Sequence, residues 1–178
     1  MKKVRLFIAC SLDGYIAREN ESLDWLDAIP NPKKSDFGYG DFIAGIGEII
    51  MGRKTYEWVA RSGYPWPYED NTYIISKKDE IEIDTPKTYL MNVDWVSKVK
   101  EMKKEEGKDI WLCGGGTLIS AFLDERLIDE MILSIIPIVL GAGLPLFPGK
   151  PLETQFQLNS SKQFDSGVVN LSYRKENW

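Results

Sequence analysis

Two short stretches hold residues whose types and spacing can do chemistry on a phosphorylated ligand. One reads Ile49-Ile50-Met51-Gly52-Arg53-Lys54-Thr55-Tyr56, the other Ile110-Trp111-Leu112-Cys113-Gly114-Gly115-Gly116-Thr117-Leu118. Each runs from an apolar strand pattern through glycine to a polar residue at a helix start. The first amides of a helix have no intrahelical partner and sit at the positive end of its dipole, so together they hold phosphate. Arg53 and Lys54 add two cations beside the first turn. Gly47 and Gly52 have P-loop spacing, but Arg53 stands where that motif needs lysine. No G-x-G-x-x-G opens a helix after a strand, so the ordinary dinucleotide fingerprint is absent too. One such turn alone reads as a tight connection with surface cations; two in one chain point to a large phosphorylated ligand.

The remaining reactive residues narrow the chemistry. The chain has no histidine, which removes a serine–histidine triad, a cysteine–histidine dyad and most zinc sites, and no metal is expected. Proton transfer falls to carboxylates, lysine, tyrosine, cysteine or water. Cys10 and Cys113 each close an apolar run and lack the spacing of a metal knuckle, so they read as buried thiols of a reducing cytoplasm. Asp13 follows the first strand and is either a turn residue paired with Gly14 or an acid. Asp24-Trp25 sits in a long loop, where an exposed tryptophan is a functional signal. With 22 lysines and arginines against 27 aspartates and glutamates, the net charge is −5, and no nucleic-acid or membrane partner is expected. The apolar stretch behind Lys2 and Lys3 is broken by Arg5 and is too short for a signal peptide, and no later run is long enough to span a bilayer.

The elements that position these residues follow from periodicity. Val4 to Cys10 is apolar on both faces except for Arg5, as in a central strand covered on both sides. Residues 18–35 read as a loop and 36–46 as a short helix weakened by three glycines. Further strands are expected at 48–51, 72–75, 88–91 and 110–113, with helices at 55–60, 94–106 and from 118. Glu130 to Leu140 is a long β-rich run with Pro137 bending it. Residues 155–160 and 168–175 flank Asp165-Ser166-Gly167 as a closing hairpin. Strands alternating with helices predict an α/β fold: one three-layer α/β/α domain over 1–178, with a mostly parallel central sheet and a C-terminal antiparallel hairpin.

Met51-Gly52-Arg53-Lys54-Thr55 resembles the cofactor loop of dihydrofolate reductase, and Cys113-Gly114-Gly115-Gly116 with Leu118 and Phe122 resembles its second cofactor turn. Ser11-Leu12-Asp13-Gly14-Tyr15-Ile16-Ala17 and Ile136-Pro137-Ile138-Val139-Leu140-Gly141-Ala142-Gly143, ending in Pro145-Leu146-Phe147, are closer still to the reductase domain of the bifunctional riboflavin-biosynthesis enzyme. The likeness covers nearly the whole chain in order. It implies a dihydrofolate-reductase-like oxidoreductase that takes NADPH, resembling 5-amino-6-(5-phosphoribosylamino)uracil reductase. Hydride would go to a small pyrimidine- or pterin-type heterocycle or a ribosylamino compound.

By that resemblance, Gly52, Arg53, Lys54 and Thr55 hold the diphosphate and 2′-phosphate, and Ser76 and Lys77 the adenosine end. Gly114, Gly115, Gly116, Thr117, Leu118 and Ile119 cradle the diphosphate from the other side, with the Gly114–Gly115 bond cis. Ala9 and Ile16 lie near the nicotinamide, and Asp24 and Trp25 near the substrate. The acid that anchors the pterin in dihydrofolate reductases falls on Asp36 by ungapped counting and on Asp41 with a shorter connection; the bland alternatives are a helix cap and a solvated face. The aspartate–proline stretch ending in arginine that follows the threonine in the riboflavin branch is missing here, where Tyr56-Glu57-Trp58-Val59-Ala60-Arg61 stands. This departure keeps open a second class, an NADPH-binding or sensing protein without turnover. The resemblance also implies a homodimer, paired through the apolar run Met131 to Leu140 near the sheet's edge.

Overall fold

The structure is a computed structural model and describes residues 1–176; Asn177 and Trp178 lie outside the described residues. Five parallel pairings link six strands in the order β5(Thr88–Met91), β4(Asn71–Ile75), β3(Ile46–Gly52), β6(Asp109–Gly114), β1(Val4–Ser11) and β7(Glu130–Ile136). Two antiparallel strands, β10(Val169–Lys175) and β9(Phe156–Gln163), complete the sheet beyond β7. The chain begins in the middle at β1, builds outward through β3 to β5, then returns to insert β6 beside β1. That reversal is a topological switch, where open parallel sheets bind ligands beyond the strands' carboxyl ends.

The apolar runs read as two-faced strands because successive side chains enter opposite layers. Ile50, Ile110 and Leu112 pack with Val99 and Met102 of α4(Trp95–Lys104) and with Leu118, Ile119 and Phe122 of α5(Gly116–Asp124). Ile49, Met51 and Trp111 pack on the other side, with Phe42 of α2(Tyr39–Ala44) and Tyr56 of α3(Arg53–Ala60). Phe122 has no exposed surface, and burial of one such side chain stabilises the fold by about 2–3 kcal/mol. Both helical layers and the terminal hairpin agree with the expected architecture. No helix among the described residues is long and apolar enough to cross a membrane.

Three readings need correction. Residues 18–35 are not all loop: Asp24–Asp27 forms α1, anchored by Trp25. The run from Glu130 is strand only to Ile136; Pro137 has no amide for the ladder, and Ile138 N–H bonds back to the Ile136 carbonyl at 2.7 Å in a three-residue turn. Nor is this strand near an edge. It pairs with β1 on one side and β10 on the other, so both of its backbone edges are occupied within one chain, and the homodimer loses the open edge on which it was expected to pair. A small sheet also escaped periodicity, since its strands are only three and two residues long: β2(Tyr15–Ala17) pairs with β8(Leu144–Pro145).

Candidate functional site

The two glycine turns meet. β3 and β6 are neighbours with Met51 opposite Gly114, so α3 and α5 start side by side at the carboxyl edge of the sheet. A side chain on Gly52 would sit 3.7 Å from the Gly114 carbonyl oxygen and 3.8 Å from the Gly115 nitrogen, and one on Gly115 would sit 3.5 Å from Thr55 Oγ1. Gly114 has φ +124°, a region glycine tolerates and other residues avoid, and the Gly114–Gly115 bond is cis, as the resemblance implies. Neither helix start has a side-chain cap: Gly52 and Gly115 occupy the cap positions, and neither can cap. Two sets of unpartnered amides with two aligned dipoles therefore converge where no Cβ intrudes, which suits an extended diphosphate.

Residues 141–148 position this edge. The Asp13 carboxylate accepts hydrogen bonds from Ser11 Oγ at 2.6 Å, Gly141 N at 2.8 Å and Leu140 N at 3.1 Å. Leu146 N donates to the Gly14 carbonyl at 2.9 Å, and Ser120 Oγ of α5 donates to the Pro148 carbonyl at 2.9 Å. Gly116 fits beneath this strap: a Cβ there would run into the Pro145 carbonyl and come within 2.9 Å of Pro148 Cδ. Glycine at 116 thus serves packing, whereas Gly52 and Gly115 keep the approach to the helix starts open.

The candidate acids occupy structural posts. The Ser11 hydroxyl, then the Gly141 and Leu140 amides, hold Asp13 below its ordinary pKa. Asp36 accepts from the Gly38 and Gly40 amides, both at 2.9 Å, and is likewise lowered. In both, hydrogen bonds to the carboxylate favour its ionised form. Asp41 is exposed in the first turn of α2. Trp25 is not an exposed loop residue: it is 1% exposed, packed with Ile136 and Val168 and bordered by Ala9. Asp24 is at the surface, bonded to Arg18 Nε at 2.7 Å and Ser22 Oγ at 2.9 Å. Ile16 borders the core near Leu146, while Ser76 is buried and accepts from Lys78 N at 2.9 Å, with Lys77 exposed beside it.

Both cofactor-loop cations are already engaged. Arg53 Nη1 lies 2.7 Å from each carboxylate oxygen of Glu57, and Lys54 Nζ lies 2.5 Å from Glu21 Oε1. Glu57 was discoverable at the i,i+4 spacing; Glu21 was not, because it comes from a turn on the opposite side of the cleft. That cleft, about 870 Å³, opens between residues 20–27 and α3. Cys10 and Cys113 are both pushed up to about 11 by burial, which keeps them as thiols at neutral pH.

The profile of the RibD C-terminal domain matches residues 66–170, more than half of the chain. This protein belongs to the RibD C-terminal domain family. It is 39% identical to the uncharacterized protein YwjB of Bacillus subtilis over 94% of this chain and 95% of that one. Among solved structures, a Shewanella sp. PV-4 protein named for riboflavin biosynthesis superposes with a TM-score of 0.89 at 30% identity, covering 98% of this chain and 99% of that one. RibD of Acinetobacter baumannii shares the fold, with a TM-score of 0.72 at 20% identity over 99% of this chain and 58% of its own. The family match thus contains the second glycine turn and the strap, while the first turn lies upstream of it. The RibD-type fold is reductase-like, and the paired helix starts of this chain are of the kind that binds anions.

Proposed function

We propose that this member of the RibD C-terminal domain family is an NADPH-dependent reductase acting on a small nitrogen heterocycle. The observation that carries the reading is the junction of two uncapped helix starts at Gly52 and Gly115, separated by glycine alone. When bound, NADPH supplies a hydride to the carbon of a C=N or C=O bond, whose heteroatom takes a proton, leaving NADP⁺. The amides of Arg53 to Thr55 and of Gly116 and Thr117 would hold the diphosphate, and the Arg53 and Lys54 side chains the 2′-phosphate. Ser76 and Lys77 would bound the adenosine end. Ala9 and Ile16 would give the nicotinamide an apolar wall that excludes water. The proton would come from water or from one of Asp13, Asp36 and Asp41; the hydrogen bonds that favour the ionised forms of Asp13 and Asp36 support water.

Thermal unfolding with and without NADPH tests binding: at about 100 times Kd the cofactor should add about 2.7 kcal/mol of stability. Loss of NADPH absorbance with a panel of pyrimidines and pterins then tests turnover. An unchanged melting curve at millimolar NADPH defeats the reading. Binding without turnover on any acceptor favours the second class, a nucleotide-binding protein that senses NADPH.

A further inference from the structure

We infer that Glu21 and Glu57 set how far NADPH is preferred over NADH, by standing against the 2′-phosphate at the two cations that receive it. The Glu21–Lys54 bridge also ties the turn at 18–22 to α3 until a 2′-phosphate takes Lys54. This rests on the NADPH reading and deepens it, because the carboxylates regulate the same site.

The charges at the start of α3 run against the helix's own field. Arg53 and Lys54 stand in its first turn, at the positive end of the dipole, and that turn holds no acidic residue. Carboxylates from elsewhere neutralise them. Glu57, one turn on, meets Arg53 Nη1 with both oxygens at 2.7 Å, and the two side chains are 32% and 28% exposed. Glu21 reaches across the cleft to Lys54 Nζ at 2.5 Å, with side chains 42% and 71% exposed. Ion pairs this open to solvent are weak and are screened by salt, so an incoming dianion can compete with them.

Geometry gives the two carboxylates different effects. Glu57 engages only Nη1, and Arg53 Nε and Nη2 have no ion-pair partner among the described residues. A phosphate can dock on those donors while Glu57 stays in place, so Glu57 steadies the guanidinium and repels the dianion beside it. Lys54 is a compact charge on a flexible stem, and moving to the phosphate takes it from Glu21. Glu21 has φ +66° and sits in a turn closed by Arg18 N to the Ser22 carbonyl at 3.0 Å and Glu21 N to the Arg18 carbonyl at 2.9 Å. The other side-chain hydrogen bonds of this turn are local, from Arg18 and Ser22 to Asp24 and from Ser22 to Asn20. Once Lys54 leaves, the turn loses its bridge across the cleft. NADH carries no 2′-phosphate and leaves the bridge closed.

The test is isothermal titration of NADP⁺ and of NAD⁺ into the full chain and its variants. Glu57→Gln keeps an amide oxygen for Arg53 but removes the charge, and should tighten NADP⁺ about fivefold; Glu21→Gln, the more exposed partner, should tighten it about twofold. Neither should change NAD⁺, and both gains should shrink at about 0.5 M salt. Lys54→Met should erase the gain from Glu21→Gln, as a double-mutant cycle requires of residues that act through one another. Hydrogen exchange of the amides at 18–22 should quicken with saturating NADP⁺ and not with NAD⁺. Variants that bind NADP⁺ no better than the parent, a gain shared equally by NAD⁺, or a Glu21→Gln gain that survives in Lys54→Met overturns the role in selectivity. Exchange at 18–22 that NADP⁺ leaves unchanged or slows overturns the tie between the turn and α3. Failure of NADP⁺ to bind the parent protein is a separate result, which removes the reading beneath.

Discussion

The two edges of the sheet are built on opposite plans. At the amino edge the charges are closed on one another. Lys2 bridges Glu48 at 3.0 Å and Glu105 at 2.6 Å, and Lys3 meets Glu130 at 2.6 Å. Lys103 lies 2.7 Å from Asp129, whose carboxylate also accepts the Val4 amide at 2.8 Å. Arg5 sits 3.6 Å from Asp109 and 3.0 Å from Glu130, the latter contact without the alignment of a hydrogen bond. At the carboxyl edge two helices begin with glycine caps and leave their first amides unpartnered by side chains. The difference teaches where the fold is secured and where it is left open: ion pairs across the amino edge tie distant strands together, and uncapped helix starts at the carboxyl edge leave amides that an anion can reach.

The sharpest way to break this contrast is within one glycine run. Gly116→Ala puts a Cβ into the strap carbonyl and should destabilise the protein by about 3 kcal/mol, measured by urea unfolding. Gly115→Ala meets only ordinary contact at Thr55, so it should weaken NADPH more than it weakens folding. Equal stability losses would mean that the two glycines share one role.

Arg53→Ala probes the open edge next. Loss of a charged hydrogen bond to phosphate costs about 1.5–3 kcal/mol, so NADPH should bind tenfold weaker or worse, with NADH nearly unaffected. Equal loss for both cofactors would remove the 2′-phosphate assignment. At the closed edge, Lys103→Ala should cost about 1–2 kcal/mol of stability, because it deprives Asp129 and the Leu127 carbonyl of a shared donor, and should leave NADPH affinity unchanged. A change in affinity would show that the two edges are coupled.

The smallest effect concerns Asp13. Its folded pKa lies below the ordinary carboxylate value, so its contribution is present above about pH 4, the unfolded pKa, and lost as pH falls through the folded one. Asp13→Asn should lower the melting temperature at pH 6, and the gap from the parent protein should shrink towards pH 3. A gap independent of pH would mean that the carboxylate's charge does not hold the strap.

By itself the sequence determined the layers and the two turns. Ile49, Ile50 and Met51 alternate between cores because strand side chains alternate, and glycine at 52 and 114–116 marks chain that must turn or be approached closely. These are local signals, legible in a window of ten residues. Tertiary structure decided everything that joins distant segments. It buried Trp25 against Val168, made Asp13 the anchor of a strap about 128 residues away, and set Glu21 on Lys54 across the cleft. It also enclosed the apolar strand β7 between β1 and β10. None of these carries a periodic signature, because pairing between distant residues depends on strand order. That order is settled when the whole chain buries its apolar faces together, not by any one segment's pattern.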